Sequence, residues 1–165
     1  MQNFSDAVYG QSASDMVSTF LEAINSGDTL AFWRLLDSQG RGYFMGMWFY
    51  AMGNADLAGV SLLAEDENFL RDALGGIVGD LKRNLSDLID NPQIGELQYV
   101  DGRYARVAVS SGGESEEHQV TDYIPLVLEL AGAGTATAGN PPAQGNVGMT
   151  CWKIDTLKCF RIQKT

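Results

Sequence analysis

Pro92 divides this 165-residue chain into two halves of different hydrophobic period. Before it, apolar residues recur every three to four positions, the spacing that buries one face of a helix. After it they alternate, the spacing that buries one face of a strand. A chain that spends its first half on helices and its second on neighbouring strands folds as α+β, with the helices packed against an antiparallel meander.

The first helix is carried by "SDMVSTFLEAIN", where Met16, Val17, Phe20, Leu21 and Ile24 share a face behind Ser14 as N-cap. "NSGD" ends it: Gly27 suits the left-handed C-terminal position, and Asp28 can cap a second helix carrying Leu30, Phe32, Trp33, Leu35 and Leu36. A longer helix is expected over about 66–90, from Phe69 and Leu70 to Leu88 and Ile89. Gly75, Gly76 and Gly79 lie inside it, each costing about 0.5 to 1 kcal/mol relative to Ala, so close packing or a bend is expected there.

In the second half, "IGELQYV" and "RYARVAVS" flank Asp101 and Gly102, a pair that favours a type I′ hairpin. That turn sets Tyr99 opposite Tyr104 and Leu97 opposite Arg106. The next strand, "HQVTDYIPLVLEL", places His118, Val120, Asp122, Ile124, Leu126, Leu128 and Leu130 on one side, with an edge or bulge expected at Pro125. Residues 131–146, without charge or large apolar side chains, read as a flexible loop. The end of the chain reads as a last hairpin turning at Asp155, Thr156 and Leu157. Cys151 and Cys159 are then roughly 7 to 8 Å apart and reduced.

One stretch fits neither period cleanly. "YFMGMWFYAM", residues 43–52, packs five aromatics and three methionines without a charge. Exposed, each aromatic would show about 150 to 250 Å², far beyond the apolar patch a monomer tolerates, so something covers it. A bilayer does not: the uncharged stretch is shorter than the roughly 20 residues a span needs, and it lacks the basic flank of an interfacial helix. As a helix it would place Phe44, Trp48 and Met52 on one face. A strand remains open, because aromatics favour sheets and Gly46 weakens a helix.

Charge narrows the partners. Eleven Lys and Arg stand against 21 Asp and Glu, a formal charge of −10 that repels nucleic acid and anionic lipid. One His and two Cys on a single hairpin do not make a metal site, and no cofactor motif is present. The opening residues lack a basic and an apolar signal region, so a cytoplasmic protein is expected. A flexible arm over 1–13 would precede a single domain over 14–165.

With its first helix reading "FLEAINSGD", its further helices, a strand "IPLVLEL" and a closing "CWKID", the chain resembles the nuclear transport factor 2-like superfamily, also called cystatin-like or SnoaL-like. The resemblance spans about 14–162 and departs from the usual plan at about 40–64 and 131–146. It implies an α+β cone, in which a curved antiparallel sheet wraps the helices and leaves an apolar cavity between them. Residues 43–52 would cap the open end of that cone. It also implies a homodimer through the outer face of the sheet, using Tyr123 and Val127.

The superfamily hosts both binding modules and enzymes, and fold alone does not choose between them. The expectation is a small-molecule-binding or assembly module, with Trp33, Phe44, Trp48, Tyr99, Tyr104, Arg106 and Asp122 around a small apolar ligand. The alternative is an isomerase, dehydratase or cyclase acting on a small cyclic or polyketide-like substrate, with Asp122 as base supported by Arg106 or Tyr104. An Arg106–Asp122 ion pair is the expected structural form of those residues. His118 is a further catalytic candidate, but it stands about 13 Å from Asp122 along an extended strand, beyond hydrogen-bond reach.

Overall fold

The computed structural model describes residues 12–53, 56–112, 120–130 and 150–161. His118, most of the expected N-terminal arm and the expected loop at 131–146 lie outside the described residues.

Each half of the chain adopts the class its period dictates. Helix α1 (Ala13–Ser26) buries Met16, Val17, Phe20, Leu21 and Ile24. Its N-cap is Ser12, whose hydroxyl accepts the Asp15 N–H, not the expected Ser14, which is already helical. Gly27 ends α1 with φ 72°, and Asp28 caps α2 (Thr29–Leu35) through the Ala31 N–H, so the "NSGD" corner forms as its residue types require.

The uncharged run is helical: it forms most of α3 (Ser38–Met52). Asp37 supplies the cap and does more. Its buried Oδ1 accepts the Gly40 N–H at 3.1 Å, the Thr156 N–H at 3.2 Å and the Thr156 hydroxyl at 2.6 Å. One carboxylate thus joins the start of α3 to a turn 119 residues away. Helix α4 (Leu57–Leu63) follows, then α5 (Glu67–Asn84), capped by Asp66. The expected single helix over 66–90 is broken at Leu85, and α6 (Ser86–Ile89) completes it as a separate turn.

Four antiparallel strands then form one sheet in chain order: β1 (Pro92–Asp101), β2 (Tyr104–Ser111), β3 (Thr121–Leu130) and β4 (Thr150–Ile154). The core lies between one sheet face, bearing Ala105, Val107, Val109, Ile124, Leu126 and Ile154, and the apolar faces of α1, α2 and α5. A parallel bridge from Leu36 to Ile154 ties the end of α2 to the outer edge of β4.

Three expectations about the sheet are corrected. The β1–β2 turn is centred on Gly102 and Arg103, with Asp101 opposite Tyr104, and Gly102 lacks the positive φ of a type I′ turn. An irregularity between Tyr99 and Asp101 absorbs one residue, so Leu97 pairs with Val107, Arg106 with Gln98 and Tyr99 with Ala105. Pro125 sits in an interior strand opposite Arg106. Its carbonyl accepts the Asp155 N–H at 2.9 Å, where β4 has ended. The donor that proline lacks would point the same way, toward a place with no ladder to serve. Finally, the tight turn expected at Asp155, Thr156 and Leu157 is replaced by a short helix, α7 (Thr156–Cys159). Both cysteines are free thiols.

Candidate functional site

The rings of α3 explain how its inner face is covered. Trp48 lies 5.1 Å from Trp33 of α2 and 5.1 Å from Phe69 of α5, centroid to centroid. Phe44 is buried among Trp33, Trp48 and Phe160. The stack continues from Phe160 to Phe32 and Phe20 in the core. The ring partners of α3 come from α2, α5 and the residue after α7. Trp48 itself is half-buried. The outer face stays bare, with Tyr50 89% exposed.

Two of the cavities among the described residues bear on the expected site. The larger, about 660 Å³, is a crevice between α2, α3 and the end of α4. Leu30, Trp33, Met45 and Ala64 give it apolar walls, and Arg34, Arg41 and Glu65 give it charge. Among the described residues neither guanidinium has an ion pair, and the Nε of Arg41 is sealed from water without a hydrogen-bond partner. The two hydroxyl groups of the crevice are already committed: Ser38 donates to Glu129 at 2.7 Å, and Ser61 donates to the Leu57 carbonyl at 2.9 Å.

The smaller cavity, about 320 Å³, opens between the sheet and the helices at Leu81, Leu85 and α7. Arg106 and Asp122 both border it. The ladder pairs Arg106 with Pro125 and Asp122 with Val109, an odd separation along β3 that leaves the two side chains on opposite pleats. The expected Arg106–Asp122 ion pair is therefore not formed. Arg106 instead donates from Nε to Gln98 at 3.1 Å and lies over the Tyr123 ring, 4.2 Å from its centroid. Asp122 accepts the N–H of Tyr123 at 2.8 Å. Burial pushes the thiol of Cys159, beside this cavity, up to about 12, and the carboxylates of Asp122 and Asp155 add to the shift. Such a thiol stays protonated and is a poor nucleophile at neutral pH.

The seven residues expected around a ligand are thus divided. Trp33 lines the crevice, with Phe44 and Trp48 packed against it, while Arg106 and Asp122 border the second cavity. Tyr99 packs on Trp152 and Tyr104 lies under Arg103 and Lys158, so neither tyrosine lines either cavity. Sequence reasoning missed Arg34 and Arg41 as site residues. A signal was present: these are the only basic residues before Arg71. Among the described residues no group of three His, Cys, Asp or Glu could hold a metal ion, and no helix is long and apolar enough to cross a membrane. No family model, no curated protein and no solved structure matches this chain.

Proposed function

We propose that this chain is a small-molecule-binding module and that its ligand occupies the crevice between α2, α3 and the end of α4. The observation that carries the reading is the crevice itself. Its volume of about 660 Å³ falls within the roughly 300 to 1,000 Å³ of ligand sites, and its apolar walls surround Arg41, whose Nε lacks a partner. A buried donor without an acceptor costs stability, and the outer nitrogens of the same guanidinium, which are not sealed, are the donors a ligand in the crevice can reach. The nuclear transport factor 2-like architecture is part of the proposal. It is supported by the order of helices before a strand meander and by the two irregularities in β1 that help a sheet to bend. The ligand position differs from the cone interior expected for that architecture, because the larger cavity lies among helices.

Catalysis by Asp122 has less support. Asp122 has no ion-paired partner among the described residues, and Arg106 is engaged by Gln98 and Tyr123. Assembly is a second reading, favoured by the bare outer sides of α3 and α4, where Tyr50, Leu57 and Leu62 are exposed. The homodimer through the sheet loses support, because Val127 is buried within its own chain.

The binding reading is tested with medium-chain and aromatic amphiphiles in thermal melts. A ligand at a hundred times its Kd stabilises the folded state by about 2.7 kcal/mol, which a melt resolves. Gly42 lines the crevice, and a Cβ added there meets no atom within 4 Å, so Gly42→Leu is expected to intrude without clash and to abolish the rise. If no amphiphile raises the melting temperature of the parent, the reading fails.

A further inference from the structure

We propose that the crevice is built for an organic monocarboxylate with an apolar body, its carboxylate held by Arg34 and Arg41. The inference rests on the binding reading above and adds the chemical class of the ligand. The hydroxyl donors of Ser38 and Ser61 are committed to Glu129 and to the Leu57 carbonyl, so the charged donors that remain in the crevice are the guanidinium N–H groups of Arg34 and Arg41, beside the indole N–H of Trp33. Guanidinium groups donate and never accept, so the polar end of the ligand must be an acceptor, and a carboxylate matches their fork with two parallel bonds.

Three features restrict the class further. Trp33 and Met45 bring an aromatic face and a thioether to the same walls, so the remainder of the ligand is apolar. Glu65 stands at the crevice without forming an ion pair with either arginine, and a second negative charge on the ligand would meet it. The net charge of −10 also disfavours polyanions in the surrounding field. Arg34 and Arg41 are the only cations in the first 70 residues, which leaves a single basic locus in that half of the chain.

The experiment compares octanoate, octanol and octyl phosphate by calorimetry on the full chain, with Arg34→Gln and Arg41→Gln as variants. Arg34 is exposed, so its substitution leaves folding intact; circular dichroism checks the Arg41 variant. Octanoate is expected to bind at least about ten-fold more tightly than octanol, the scale of one charge-assisted hydrogen bond. Arg34→Gln should remove about that ten-fold for octanoate and leave octanol unchanged. The Arg41 Nε–H resonance should move on addition of octanoate and stay in place with octanol. Equal binding of octanoate and octanol, insensitive to both substitutions, overturns the carboxylate and leaves the binding reading standing. Tighter binding of octyl phosphate overturns the restriction to monocarboxylates. Absence of binding by all three overturns the carboxylate together with the reading beneath it.

Discussion

Asp37 and Asp155 are both buried carboxylates near the β4–α7 turn, and their surroundings use them in different ways. Asp37 is satisfied by three donors, and Gly40 is the residue that makes this geometry fit: a Cβ there would collide with the Thr156 side chain and press on the Asp37 Oδ1. Gly40→Ala is therefore expected to destabilise the fold by about 1 to 3 kcal/mol, as overpacking does, and a urea melt matching the parent would refute this. Asp155 is less well served. Burial raises its pKa above the ordinary 3.8, Asp37 adds to the shift, and Lys158, at 3.7 Å, opposes it. A raised folded pKa means that the protonated form favours folding. Its stabilising contribution is full below the ordinary value and is lost as pH rises through the folded value. The parent should thus lose stability relative to Asp155→Asn over a window opening near 3.8 and extending upward. Asn keeps a side-chain oxygen that can accept the Lys158 backbone N–H as the Asp155 carboxylate does, so the substitution leaves the turn intact, and parallel pH profiles for the two proteins would refute the assignment.

At the scale of elements, the glycines of α5 do not serve the close packing expected of them. A Cβ at Gly75 or Gly76 meets nothing within 4 Å, and one at Gly79 meets only the end of Arg83 at 3.9 Å. The helix runs through all three without interruption, and its break falls at Leu85. Gly75→Ala should accordingly stabilise the protein by about 0.5 to 1 kcal/mol through the unfolded chain's lost freedom, visible as a higher melting temperature. A lower one would reveal a packing role. Helix α3 is the opposite case. Its local preferences were divided between helix and strand, and the Asp37 cap with the Trp33–Trp48–Phe69 ring cluster selects the helix. The β1–β2 hairpin was misread because "DG" carries a strong turn preference, and one extra residue at the irregularity outweighs it. That single residue separates Arg106 from the face that bears Leu97 and Asp122.

For the molecule as a whole, the assembly reading places a second copy on the exposed sides of α3 and α4, where Tyr50, Leu57 and Leu62 are the most exposed large apolar residues among those described. The outer side of α3 from Gly42 to Met52 carries no charge, so two copies of net charge −10 can approach there with least repulsion. Light scattering should give a mass above the 17.9 kDa of one chain, and Tyr50→Lys should return it to that value. A parent of one-chain mass removes the assembly reading and leaves the crevice untouched. Across these scales, the sequence alone settled what depends on near neighbours: the α+β class, the order of helices before strands, the Gly27–Asp28 corner and the absence of a span-length apolar segment. The tertiary structure alone decided the register of β1 on β2, the turn of the chain after Ile154 into α7, and the crevice that brings Arg34 and Arg41 beside Ser61 and Glu65. The reason is range. Hydrophobic period and capping are properties of residues a few positions apart, whereas register, a carboxylate shared between Gly40 and Thr156, and a cavity between three helices depend on groups that only the folded chain brings together.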